Sequence, residues 1–252
     1  YAFSYCKNLR KVEIPTNSNL QTIESYAFSN TYIEEIYFPS SLRELKNGWC
    51  FATHVLSKIK ISPSNGQFKF IDDKYLIGKS DANKDEFDIL LFARRDIKEI
   101  SIPSNIKIIS SCALFDCEDL SKVEIPTNSN LQTIEPNSFS YSNIEEIFIP
   151  SKVSTICNNA FCNCENLSKV EIPTNSNLQT IDIYAFSSSN IKALFIPSKV
   201  STICEDAFYK CKNLQIIEIS EESVLESFPL SAFSECSNFI IMIPSSLNLA
   251  KA

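Results

Sequence analysis

The sequence predicts an α/β solenoid of about ten repeats of 23–24 residues, with a parallel β-sheet on the concave face and short helical turns opposite. Three observations lead there. The stretch KVEIPTNSNLQTIE at residues 11–24 returns unchanged at 122–135, and returns at 169–182 with only its last residue altered. Proline recurs at a regular interval. The apolar pattern between prolines is the same from unit to unit, which is the signature of a stacked repeat. No single unit buries its own apolar edge, so the copies stack and share one core.

The interval is read from Pro15, Pro39, Pro63, Pro103, Pro126, Pro150, Pro173, Pro197 and Pro244. From Pro103 the steps are 23, 24, 23 and 24; Ser220 stands where the next proline is due, and Pro244 follows 24 later. Each unit opens with L-x-x-V-x-I-P, as at residues 120–126 and 167–173. Its alternation of apolar and polar residues is that of a half-buried strand, and proline ends the strand because it has no N–H for the ladder. A turn follows, with a short apolar pair such as Val153/Ile156 or Val200/Ile203. The unit closes with A-F-x-x-C, at residues 2–6, 160–164, 207–211 and 232–236. This part is expected to be a helical turn with its Phe in the core.

The first strands fall near residues 9–15, 33–39 and 56–62, and Gly48-Trp49-Cys50-Phe51 takes the A-F place of the third unit. The interval then breaks, since Pro63 to Pro103 is 40 residues. The surplus holds Phe68-Lys69-Phe70-Ile71, Tyr75-Leu76-Ile77 and Ile89-Leu90-Leu91-Phe92, with a polar loop at 78–88. A β-hairpin-like insert at about 64–96, added to a single domain spanning 1–252, is the expectation. Regular units resume at Ile97, and residues 247–252 read as the start of a cap or of another repeat.

The run I-P-S-x-V-x-x-I-x-x-x-A-F-x-x-C-x-x-L-x-x-V-x-I-P, complete at residues 149–173 and with two changes at 196–220, resembles the BspA-like subfamily of leucine-rich repeats. The resemblance covers nearly the whole chain and makes the expected fold a leucine-rich-repeat solenoid. Many members carry Gly after the second Ile, where Cys157 and Cys204 stand here. The N-S-N-L-Q-T-I wording is similar to expanded families of protozoan parasites. Members of the family are surface or secreted proteins, so the resemblance implies adhesion to host cells, matrix proteins or other microbes.

Composition narrows the partners. The net charge is −7 and the isoelectric point is near 4.9. That disfavours nucleic acid, which calls for a basic face, and anionic lipid. No apolar run is long enough to span a bilayer, so this fragment makes no direct membrane insertion. The chain begins at Tyr1 within a repeat, without an initiator Met, and therefore reads as a fragment.

The strand face carries the readable surface. Between the two core residues of each strand stand Glu13, Tyr37, Lys60, Ser101, Glu124, Phe148, Glu171, Phe195, Glu218 and Met242. Two residues earlier stand Lys11, Glu35, Lys58, Glu99, Lys122, Glu146 and Lys169, then Ala193, Ile216 and Ile240. Lys beside Glu on neighbouring strands is a cross-strand ladder that sets register. Adjacent apolar residues on a surface point to a contact patch. Tyr37, Glu124, Phe148, Glu171, Phe195, Glu218 and Met242 are the candidate partner-binding residues, aromatics and Met for apolar contact and the acids for specificity.

Catalytic, cofactor and metal residues are not expected. The single histidine, His54, follows Cys50 at a four-residue spacing without a second His or a CxxC. Asp81-x-Asn83-x-Asp85 resembles the start of a calcium loop, but Glu86 replaces its Gly and Phe92 its final Glu. Cys6, Cys117, Cys164, Cys211 and Cys236 hold one repeat position, and Cys157 and Cys204 another. The ten cysteines are expected to be mainly free, buried thiols, with Cys211 and Cys236 on neighbouring units the pair best placed to meet. The reading is a non-enzymatic module at the cell surface or secreted, taking a protein or glycan partner. The alternative is a cytoplasmic scaffold using the same face.

Overall fold

Each turn of the chain lays down one strand of a long face, crosses to a second face, and returns through the A-F segment. The computed structural model describes residues 1–225 and 228–245. The expected cap or repeat at 247–252 lies outside them. In chain order the strands are β1 (Thr22–Ile23), β2 (Glu35–Phe38), β3 (Glu44–Leu45), β4 (Lys58–Ile61), β5 (Phe68–Ile71), β6 (Tyr75–Gly78) and β7 (Ile89–Ala93). There follow β8 (Glu99–Ser101), β9 (Ile108–Ile109), β10 (Lys122–Glu124), β11 (Thr133–Ile134), β12 (Glu146–Phe148) and β13 (Thr155–Ile156). The last are β14 (Lys169–Glu171), β15 (Thr180–Ile181), β16 (Ala193–Ile196), β17 (Thr202–Ile203), β18 (Ile216–Ile219) and β19 (Ile240–Met242). Together they make a parallel β-solenoid of about ten turns.

The long face carries β2, β4, β8, β10, β12, β14, β16, β18 and β19, paired in parallel with equivalent residues opposite one another. The second face is also a sheet, which the sequence reading took for a turn with an apolar pair. Its short Thr-Ile strands β11, β13, β15 and β17 stack in register, Ile134 on Ile156 on Ile181 on Ile203.

Apart from the last, at Ala232-Phe233, the A-F segments are not helical turns. Among the described residues there is no α-helix, and one short 3₁₀ turn, Leu230–Phe233, is the only helical element. The backbone explains why. Asn159 and Asn163, flanking Ala160-Phe161-Cys162, both have positive φ (56° and 57°), a conformation that stops a right-handed helix. Alternate N–H groups then leave the turn altogether. Those of Asn159, Phe161 and Asn163 donate to Ile183, Ala185 and Ser187 of the next turn. Those of Ala160 and Cys162 close local bonds to Cys157 and Asn159. The A-F corner is thus a ladder like the sheets.

In the later turns the Phe of each corner faces inward and stacks on the next. Phe139, Phe161, Phe186, Phe208 and Phe233 form one column with ring centroids 4.9, 5.0, 5.3 and 5.0 Å apart. Such pairs contribute roughly 0.5–1.5 kcal/mol beyond the area they bury.

The 40-residue step builds three antiparallel strands. β5 pairs with β6 and β6 with β7, and β7 joins β9 in parallel, so they continue the second sheet. Strand β6 is buried along its whole length. Alternation, broken by a register shift at Leu91, sends Tyr75, Ile77 and Leu90 into the core of the later turns, and Phe68, Leu76, Leu91 and Phe92 into the core of the earlier ones. The insert is therefore a wall between two cores. On the long face it separates β4, which pairs with β2, from β8, which pairs with β10.

Candidate partner-binding face

Strand alternation places the candidate residues on the outer side of the long face. Register confirms their neighbours: Tyr37 lies opposite Lys60, Phe148 opposite Glu171, and Phe195, Glu218 and Met242 follow one another across three strands. Five of the seven, Phe148, Glu171, Phe195, Glu218 and Met242, occupy successive turns of the later half. The insert separates Tyr37 from them. Glu124 sits at the seam, lining a depression of about 350 Å³ with Asp72, Lys74, Tyr75, Glu99 and Ser101.

The three aromatics are half-buried, where the sequence reading took them as exposed. Phe148 packs against the core cluster. Freely exposed apolar surface lies further along: Ile216 is 41% exposed, Ile240 67% and Met242 54%. A depression of about 530 Å³ opens beside them, lined by Lys169, Glu171, Ala193, Phe195, Ile216 and Glu218. Its lining joins apolar Ala193, Phe195 and Ile216 to charged Lys169, Glu171 and Glu218.

The charges pair both within a strand and across strands. Lys122 meets Glu124 at 2.6 Å and Lys169 meets Glu171 at 3.1 Å, each two residues along on the same side. Cross-strand contacts are Lys60 to Glu35 at 2.5 Å, Lys58 to Glu35 at 3.3 Å and Lys169 to Glu146 at 3.7 Å. The hydrogen bond from Lys122, helped by the Ser101 hydroxyl, holds the Glu124 carboxyl below its usual range. The bond to Glu171 raises Lys169. Exposed pairs of this kind contribute ~0–1 kcal/mol each, so the carboxylates keep lone pairs free for a partner.

His54 and Cys50 do not form a site together. The His54 imidazole meets Asp116 at 2.7 Å across the insert, while Cys50 is buried, its thiol pushed up to about 12 by that burial. The sequence reading missed Arg95, which fills the corner left open by the insert and donates to the Ala113 and Cys112 carbonyls. The only signal for it was the broken proline interval. In the calcium-like loop the Asn83 N–H donates to Asp81, and Lys84 and Lys79 lie against Asp81 and Asp85. Among the described residues no three His, Cys, Asp or Glu side chains gather with metal-binding geometry, and no helix is long and apolar enough to cross a membrane.

No curated protein matches the chain. Solved structures do. A leucine rich cell surface protein from Faecalibacterium prausnitzii superposes with a TM-score of 0.65 at 24% identity, over 96% of this chain and 55% of that one. A leucine-rich repeat protein from Eubacterium ventriosum gives 0.63 at 20% identity, over 90% and 65%. The pneumococcal vaccine antigen PcpA gives 0.61 at 19% identity, over 94% and 54%. The chain spans about half to two thirds of the length of these structures, and at such identities they share its fold. The BspA type leucine rich repeat region matches in six copies over residues 1–77, 86–215 and 179–251, and the chain belongs to that family.

Proposed function

We propose that this chain is a non-enzymatic protein-binding module of a cell-surface protein, attaching it to a host or microbial partner through the later half of the long face. The observation that carries the reading is the join of exposed Ile216, Ile240 and Met242 to the half-buried ring of Phe195, flanked by Glu171 and Glu218. An apolar centre with a charged rim is the anatomy of a protein interface. A protein surface matches this apolar patch with its charged rim better than a glycan, although glycan contact through the acids is a variant of the same reading. Two relatives of the same fold, at low identity, are described as a cell surface protein and a vaccine antigen.

A second reading is an intracellular scaffold using the same face. The observation favouring it is the spacing of the thiols. In the corner column, Cys117, Cys164 and Cys211 are separated by Ser142 and Ser189, and Asp182 stands between Cys157 and Cys204. Labelling intact source cells with an antibody to this chain, with and without permeabilisation, separates the two. Staining of intact cells is expected. Staining that requires permeabilisation would replace the surface reading with the scaffold.

A further inference from the structure

The corner column of small polar residues runs Cys117, Ser142, Cys164, Ser189, Cys211, Cys236. Thiol and hydroxyl alternate because the repeats alternate, and each hydroxyl meets the next thiol. The Ser142 hydroxyl lies 3.5 Å from Cys164 Sγ and the Ser189 hydroxyl 3.3 Å from Cys211 Sγ. The alternation fails once. Where a Ser is due after Cys211, the chain has Cys236. Backbone bonds put the two in register: the Phe208 N–H donates to the Ala232 carbonyl at 2.8 Å and the Lys210 N–H to the Ser234 carbonyl at 3.0 Å. Strands in this register lie ~4.8 Å apart, inside the ~4.4–6.8 Å Cα window of a disulfide.

We propose that Cys211 and Cys236 form a dithiol–disulfide site that fastens the last described turn, which carries β19, to the turn before it. The proposal does not depend on what the face binds. Cys236 is half-buried and Cys211 fully buried, so Cys236 is the thiol an oxidant reaches. Cys211 Sγ lies 3.2 Å from the Phe186 carbonyl oxygen and Cys236 Sγ 3.1 Å from that of Phe208, and the interaction of the two thiols lowers the pKa of Cys236 and raises that of Cys211. The remaining corner thiols are each held apart by a Ser, and Cys164 is pushed up to about 12 by burial.

With a small disulfide such as glutathione disulfide the chemistry balances. The Cys236 thiolate attacks one sulfur, and a glutathione thiolate leaves with the electron pair of the broken bond. Cys211 then loses its proton and attacks Cys236 Sγ, expelling the second glutathione. Two thiols have become one disulfide, and one glutathione disulfide has become two glutathione thiols.

The test is to incubate the native chain with glutathione disulfide, trap remaining thiols with maleimide under denaturing conditions, and map peptides by mass spectrometry without reduction. The expected result is loss of two thiols and a single linkage joining Cys211 to Cys236. Amide exchange over β19 should slow by about tenfold on oxidation. Cys236→Ser places in the column the residue found at Ser142 and Ser189, so it should fold, and it should show neither the linkage nor the slowing. Retention of all ten thiols, a lasting glutathione adduct on Cys236 or linkage of another pair would each overturn the proposal.

Discussion

Phe186 shows what one residue does in a stacked core. Its ring is fully buried and lies nearly parallel to Phe161 at 5.0 Å and Phe208 at 5.3 Å. Neither neighbouring turn can collapse into the space a smaller side chain would leave, because each is fixed by its own ladder. Phe186→Ala should cost about 3–5 kcal/mol in denaturant unfolding, and a loss under ~1 kcal/mol would mean the column is not the core. Asn159 tests the corner itself. At φ 56°, Asn159→Ala should destabilise by roughly 1 kcal/mol while Asn159→Gly stays near neutral. A helical turn would give the reverse order, since Ala is the better helix former by about 1 kcal/mol. The A-F-x-x-C motif showed which side chain fills the core. It did not show the corner's backbone, because Ala, Phe and Cys favour no left-handed neighbour; the clue lay in Asn159, Asn163 and Asn137 around them.

At the scale of the element, the insert decides how the two halves communicate. The broken proline interval suggested a hairpin-like addition, where three antiparallel strands stand. The role of the insert could not be read from that interval, although the continuous apolar runs of β6 and β7 carried it: strands buried on both faces lose the period-two alternation. Because the insert walls off two cores, deleting residues 64–96 should yield an aggregating chain. A soluble deletion variant with an unchanged melting temperature would show it to be an appendage. Asp88 holds the base of its loop. Burial would raise this carboxyl, but bonds from the Ser80 N–H and hydroxyl and from Lys107 outweigh it and keep the carboxyl low. Its stabilising effect is therefore complete above the unfolded value of ~3.9 and is lost as pH falls through the lower folded value. Asp88→Asn should cost ~1–3 kcal/mol at neutral pH and shrink the fall in stability below pH ~4. An unaltered acid limb would contradict that role.

For the whole molecule, identical turns give a scaffold whose surface differs only where the repeats differ. The Lys-Glu pairs recur along the face, within β10 and β14 and across strands at Glu35 and Glu146, and contribute to register. The departures are concentrated at the last turns, where Ala193, Ile216 and Ile240 replace the charges and Met242 takes the place held by Phe148 and Phe195. The later half of the candidate site could be read from that change in the sequence, since period two fixes which side chains point outward. Tyr37 could not be separated from it in the sequence, because the wall between the cores comes from folding of the insert.

The most direct measurement compares the chain with its Ile216→Glu/Met242→Glu variant in solid-phase binding to intact host cells and matrix proteins, after both show the same melting temperature. Both positions are exposed, so the fold should survive. Saturable binding by the chain that falls at least about tenfold in the variant is the result the interface predicts. Equal binding by the two folded proteins would place the partner surface elsewhere.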